Sequence, residues 1–173
     1  MKIYENGVYR DMSAEELAQI EAVSINAQIE ESTRPLSDSE ILLLDMRKRV
    51  NTLSIDNQTA GRMVNYFPTM AEVCGAGELI QAKTRIRDDK DNAIIWRSTV
   101  DIWNIETNSP TNAPTLWDKI EYNNGIRVIP NNITSTLAWI KGEMGYYNGH
   151  IYKSLMDGNV FPITQADAWM LMC

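Results

Sequence analysis

Two ten-residue segments of this chain read as copies of one another, and that self-similarity narrows the possible folds more than any other feature, because a recurring unit must fold by the same rules twice. Asn92-Ala93-Ile94-Ile95-Trp96-Arg97-Ser98-Thr99-Val100-Asp101 aligns without gaps on Asn148-Gly149-His150-Ile151-Tyr152-Lys153-Ser154-Leu155-Met156-Asp157. Asn, Ile, Ser and Asp are shared, and Trp/Tyr, Arg/Lys and Val/Met are conservative exchanges. Ala82 and Ala138 stand at equal distances upstream, and each copy runs on to a tryptophan preceded by turn residues, Trp117 or Trp169. Asn148-Gly149 is a tight-turn dipeptide, and His150 to Ser154 alternates as a strand returning from it. A sheet this small buries little aliphatic surface, so its rings must supply most of the core.

Before the repeat the residue usage is different. Tyr4-Glu5-Asn6-Gly7-Val8-Tyr9 places Asn-Gly between strand formers and predicts a hairpin. Ser13-Ala14-Glu15-Glu16 is a capping box, opening a helix from about Ala14 to Glu31 whose apolar positions, Leu17, Ile20, Val23, Ile25, Ala27 and Ile29, form no single stripe. Arg34-Pro35 ends that run. Ser37-Asp38-Ser39-Glu40 is a second capping box, for a helix through Val50, and a third helix is predicted from Asp56 to Tyr66, stopping at Phe67-Pro68. From Met70 onward Ile, Val, Thr, Trp and Tyr come in short runs between Asn, Gly, Pro and Asp, the chemistry of strands and turns. The expected fold is therefore α+β: a helical region over 1–66 with a short hairpin and about three helices, then two small antiparallel β modules over 67–121 and 122–173. Modules of about 50 residues are marginal alone. They are expected to lean on a neighbour or on other copies of the chain.

Charge excludes one class of partner. The formal net charge is -7, and no basic run interleaved with aromatics is present to neutralise a phosphate backbone, so nucleic acid is not an expected partner. No apolar stretch approaches the roughly 18 to 20 residues of a membrane span, and the first residues carry no signal-peptide core. Cys74 and Cys173 are too far apart for a metal knuckle or a CxxC pair and are expected to be unpaired. The single histidine, His150, reads as a surface strand residue with no triad or carboxylate pair around it. Asp88-Asp89-Lys90-Asp91 lacks the ligand spacing of a calcium loop and reads as a solvated turn. Neither a metal nor a cofactor is expected, and no enzymatic activity.

Gly142-Glu143-Met144-Gly145-Tyr146-Tyr147-Asn148-Gly149-His150-Ile151-Tyr152, followed by Pro162 and Trp169, resembles the small chitin-binding carbohydrate-binding modules of families 5 and 12, with their aromatic-Asn-Gly turn, Tyr strand and final Trp. The stretch Tyr152 to Val160 is similar to repeats in tail, fibre and head-fibre proteins of bacteriophages, and Tyr66 to Ile120 to the module that often precedes them. The opening Tyr4 to Met12 looks like the start of such proteins. In the first unit Ile86 to Asn92 replaces the turn pattern, so the resemblance carries a sugar site onto the second unit only. It implies a structural or attachment component of a virion, made in the host cytoplasm, that is homo-oligomeric (a trimer being one natural form), bound to other phage structural proteins and turned toward host cell-wall or capsular polysaccharide. The rival readings are a head-decoration or tail-connector protein using its modules for protein contacts, and a chaperone of fibre assembly.

Sugar recognition rests on a flat ring stacked on a pyranose, with amides and carboxylates bonding the hydroxyls. The candidates are Trp139, Tyr146, Tyr147 and Trp169, near Asn148 and Asp157. Tyr152, Trp96 and Trp117 are expected in the cores of the small sheets, a role Trp169 could equally fill. Trp103 stands in an inserted polar stretch, where exposure would point to a ligand or a subunit contact.

Overall fold

Both capping boxes close as their residues dictate. In a computed structural model of the chain, which describes residues 2–5, 8–76, 79–103 and 105–172, the Ser13 amide donates to Glu16 Oε2 at 2.8 Å and the Glu16 amide to Ser13 Oγ at 3.2 Å. Ser37 and Glu40 repeat the exchange at 2.8 and 3.4 Å. They open α1 (Ala14–Thr33) and α2 (Asp38–Arg49). A third box, Thr69 with Glu72, opens α4 (Met70–Ala76), so a helix stands where the residue usage had suggested the first strand chemistry. Between them lies α3 (Asn57–Arg62), capped by Asp56, whose carboxylate accepts from the Thr59 amide at 2.7 Å. The Asp56 to Tyr66 helix is thus split: a 3-10 turn, Val64–Tyr66, follows Met63.

The chain divides into two compact units, Met1–Ile41 and Leu42–Cys173. In the first, β1 (Lys2–Glu5) and β2 (Val8–Asp11) pair antiparallel, with Glu5 opposite Val8. The Asn6-Gly7 turn itself lies outside the described residues, as do Cys173 and the side chain of Cys74. Arg10 donates both guanidinium nitrogens to Glu16, at 2.8 and 2.6 Å. Leu17, Ile20 and Val23 of α1 are 41, 49 and 69% exposed, so this helix covers little apolar surface within its own unit. Most helical stability in proteins comes from packing an apolar face, and the described side chains of α1 supply little of it.

The second unit carries a seven-stranded sheet in the order β3 (Arg85–Arg87), β4 (Ile94–Ser98), β5 (Trp117–Asn123), β6 (Ile126–Val128), β7 (Met144–Tyr147), β8 (His150–Ser154), β9 (Trp169–Leu171). Every neighbouring pair is antiparallel except β6 and β7. The similar segments become β4 and β8, each the middle strand of a meander. The hydrogen bonds recur position by position. Ser98 stands opposite Trp117 and Ser154 opposite Trp169. The amides of Ala82 and Lys141 donate to Asp101 and Asp157, at 2.7 and 2.8 Å. Bridges join Ile80 to Ile102 and Trp139 to Asn159. The Trp117 and Trp169 indoles donate to the carbonyls of Asn108 and Phe161. Lys141, and not Ala138, is therefore the counterpart of Ala82. The shift comes from the hairpins: 88–93 connects the first pair of strands, while Asn148-Gly149 alone connects the second, both residues at positive φ (47° and 85°).

The first meander is packed on both faces. Ile95, Ile120 and Tyr122 meet Val50, Ala60, Val64 and Phe67 on one side, and Ile86 and Trp117 meet Ile80, Ile102 and Ile105 on the other, with Met70 and Val73 of α4 against them. Gly61 lets α3 lie flat on the sheet, since a Cβ there would fall 2.3 Å from the Tyr122 ring. The second meander has its core on one face, built from Trp139, Trp169, Ile129 and Ala168.

Where the meanders join, Arg127 of β6 is 1% exposed and donates to Glu143, 5% exposed, at 2.9 Å, and to the Leu137 carbonyl. Its guanidinium carbon lies 3.9 Å from the centre of a Trp139 ring. Removing one member of such a pair leaves a buried charge uncompensated. Glu143→Ala is expected to cost about 3–5 kcal/mol, read as a lowered denaturant midpoint at unchanged slope, and a loss below about 1 kcal/mol would show the pair to be dispensable.

Glu16 supplies a pH signature. The Arg10 side chain, then the Ser13 amide, hold its carboxyl at about 2, against an ordinary 4.5. The carboxylate therefore supports the start of α1 fully above pH 4.5, and that support fades as pH falls toward 2. A carboxyl-carbon NMR titration should place the Glu16 midpoint near 2, with loss of the Ser13 amide shift in the same range and both midpoints moved up toward the ordinary value in Arg10→Ala.

Candidate functional site

The expected sugar-binding residues do not converge on one surface. Trp139 is 0% exposed and Trp169 5%, and the two rings meet edge to face with centroids 5.3 Å apart. Neither can present a face to a sugar, so both are corrected here to core residues. Asp157 is committed to the Lys141 amide. Tyr147 packs partly on the Trp139 core. Alternation along β7 sends Tyr146 to the opposite side, so one pyranose cannot stack on both tyrosines. Asn148 is exposed at the tip of the hairpin. Trp96, Trp117 and Tyr152 lie in or against the cores, as the small sheets require.

Trp103 is the most exposed ring described in the second unit, 71% exposed, in the connection between β4 and β5. The Asp88 turn is structural: its carboxylate accepts from the Lys90 and Asp91 amides and from the Trp96 indole at 2.8 Å. Burial works against the Asp88 charge, but these donors prevail and hold its pKa below the ordinary value. Among the described residues no group of His, Cys, Asp and Glu could hold a metal ion, and no helix is long and apolar enough to cross a membrane.

A cleft of about 470 Å³ opens elsewhere, between α3, the edge of the first meander and the turn 140–143 that begins the second. Its lining is cationic. The β3–β4 register sets Arg85 directly opposite Arg97, a like-charge pairing that disfavours the sheet unless it is compensated. Asp118 compensates Arg97, at 2.7 Å. Arg85 reaches only the Asn57 amide oxygen, at 3.0 Å, and its Nε is buried without a hydrogen-bond partner. Burial first, and repulsion from Arg97 after it, lower the Arg85 pKa from its ordinary value, against the opposing influence of Tyr122 and Asp56. Arg62 and Lys141 add exposed cations. Glu143 is spent on Arg127 and the Ile140 amide, and Asp56 on capping α3.

Sequence reasoning missed this cleft because its cations are far apart in the chain. Arg85 and Arg97 meet through strand register, and Lys141 arrives from the other meander. The Arg-Ile-Arg strand at 85–87 was the available signal, since alternation places both arginines on one face. No protein-family model matches the chain, and the comparison with curated proteins finds no match.

The burial of Trp139 makes a prediction that separates core from surface. Trp139→Ala should cost about 3–5 kcal/mol in denaturant unfolding, whereas Tyr146→Ala should cost less than about 1 kcal/mol. Equal losses would contradict the assignment of the two rings.

Proposed function

We propose that the protein is a structural or attachment component of a bacteriophage virion, in the tail fibre, baseplate or head fibre, whose helical N-terminal region anchors or oligomerises it and whose two β modules are displayed toward host surface polysaccharide. The observation that carries this reading is the duplicated ring-cored meander: a small scaffold repeated within one chain, in which shared residues serve the fold and the differing loops are left to present contacts. Trp103, an open ring on the long connection of the first meander, is the strongest such contact. The uncovered Leu17, Ile20 and Val23 favour association through α1. Linked copies would raise the avidity of weak single sites without new contacts.

One observation favours the second reading, a decoration or connector protein that uses its modules for protein contacts. By the repeat correspondence, Ile95 and Ile120 match Ile151 and Met172. The first pair is covered by Val50, Ala60, Val64 and Phe67, while Met172, 42% exposed, shares an open face with Tyr146 and Met170. That face is suited to a protein surface.

Mass spectrometry of purified virions tests the shared part of both readings: the protein should be present in stoichiometric amounts, and its absence from mature particles would leave the assembly chaperone. Pull-down with host cell walls then separates attachment from connection. Attachment predicts retention that falls about tenfold, or about 1.4 kcal/mol, in Trp103→Ala with the melting temperature unchanged. Equal retention of the two proteins, or none by the unaltered one, would favour the connector.

A further inference from the structure

We propose that the Arg85 cleft is a binding site for an oxyanion, the carboxylate or phosphate group of an acidic sugar or polyol polymer. Neither Trp103 nor the tyrosines of β7 line the site, and its test on purified protein does not depend on the virion reading. Three observations lead to it. The first is charge set against the background. A chain of net charge -7 repels anions at long range, yet Arg62, Arg85 and Lys141 gather at one concavity and form no ion pair among the described residues. Asp56 is the one carboxylate of the lining that carries no cation of its own, so a surplus of positive charge remains.

The second observation is the price of Arg85 as it stands. A half-buried guanidinium opposite another guanidinium, with a buried Nε that bonds nothing, is costly to hold. The fold has a remedy for this and uses it one strand away, where Asp118 neutralises Arg97. Arg85 has no carboxylate in ion-pair contact, and Asp56, which caps α3, acts on it only at longer range. At the equivalent position the second meander carries Met144, as strand pairing to Lys153 shows, so the architecture does not require an arginine there. A group with charge, planar donors and an open side to a cleft is arranged for a bidentate oxyanion.

The third observation is size. About 470 Å³ lies within the ordinary range of small-ligand sites and holds a sugar acid or a polyol phosphate with room for the chain to pass. Arg85 would take the oxyanion by its fork. Arg62 and Lys141, at the exposed rim, would steer it in and make binding depend on salt. The Asn57 and Gln58 amides and the Thr59 hydroxyl of α3 line the cleft and would meet hydroxyls.

The test uses the full chain with three probes, glucuronate, inorganic phosphate and glucose, followed by amide NMR and by calorimetry at low and at high salt. Saturable shifts of the Thr59, Lys141 and Gly142 amides by glucuronate, phosphate or both, weakened by salt and absent with glucose, are the expected result. Glucuronate alone would identify an acidic polysaccharide, and phosphate alone a phosphate-linked polyol. Arg85→Gln should lower affinity about tenfold or more. Because that substitution lies in the sheet, Arg62→Ser with Lys141→Ser, both on the exposed rim, provides a second arm that should lower affinity and flatten the salt dependence with unfolding unchanged. The proposal is overturned if neither acid produces a saturable shift by about 10 mM, if glucose binds as well as glucuronate, or if the rim variant binds the acids unchanged. Loss of self-association in the rim variant, with no acid bound, would overturn it in favour of a protein contact.

Discussion

The second unit depends on one buried cation. Arg127 sits where β6 meets β7, the parallel pair among the seven strands, and parallel neighbours cannot be linked by a tight turn. The connection from Ile129 to Glu143 must leave the sheet and return, and Arg127 ties its returning end by donating to the Leu137 carbonyl and to Glu143 while Trp139 lies across its guanidinium. Burial lowers the Arg127 pKa and the Glu143 carboxylate opposes that shift. A charge removed from water in this way stabilises a structure only when its partners are all in place. Its contribution is therefore to specificity: it accepts one register between two meanders that could otherwise slide or separate.

Around that junction the two meanders share a skeleton and differ in dress. Asp101 and Asp157, Trp117 and Trp169, and the main chains of Ser98 and Ser154 perform the same bonding twice, while the two serine hydroxyls differ, donating to the Gln81 and Met156 carbonyls. These residues maintain turns and orient closing strands, which accounts for their recurrence without any ligand. Elsewhere the copies trade solutions. Lys83 and Gly142 occupy the same left-handed position, at φ 72° and 91°. Asn159, fully buried and bonded to Ser154 and the Ala168 carbonyl, stands where the first copy has Ile102. Function is more economically sought where the copies diverge, and the long connection bearing Trp103 and the Arg85 cleft are both such places.

The unit containing α1 follows a different rule. Its capping box, its Arg10–Glu16 pair and the tilted ring pair of Tyr4 and Tyr9, with centroids 4.9 Å apart, are local arrangements that fix ends and turns. They do not bury a core. A helix with aliphatic residues open on its surface gains most from meeting another surface, which is the physical ground for reading it as an association element.

Local chemistry was legible from the residues alone: the Ser13 and Ser37 capping boxes, the Asn148-Gly149 turn, the strand pair behind the repeat and the burial of Trp117 all follow from bonds between residues close in sequence or from the size of a ring. The Asn124-Gly125 turn and the Thr69 box carried the same signals and could have been read in the same way. What only the tertiary structure decided depends on separation in the chain. A single sheet joined through β6, the burial of Trp139 under Arg127, the opposite facing of Tyr146 and Tyr147 around one core, and the pairing of Arg85 with Arg97 are matters of register and of which face finds a cover. The amino-acid order dictates the periodicity of a strand, but which side of it meets water is determined by the rest of the molecule, and that choice separated the rings of the core from the cations of the cleft.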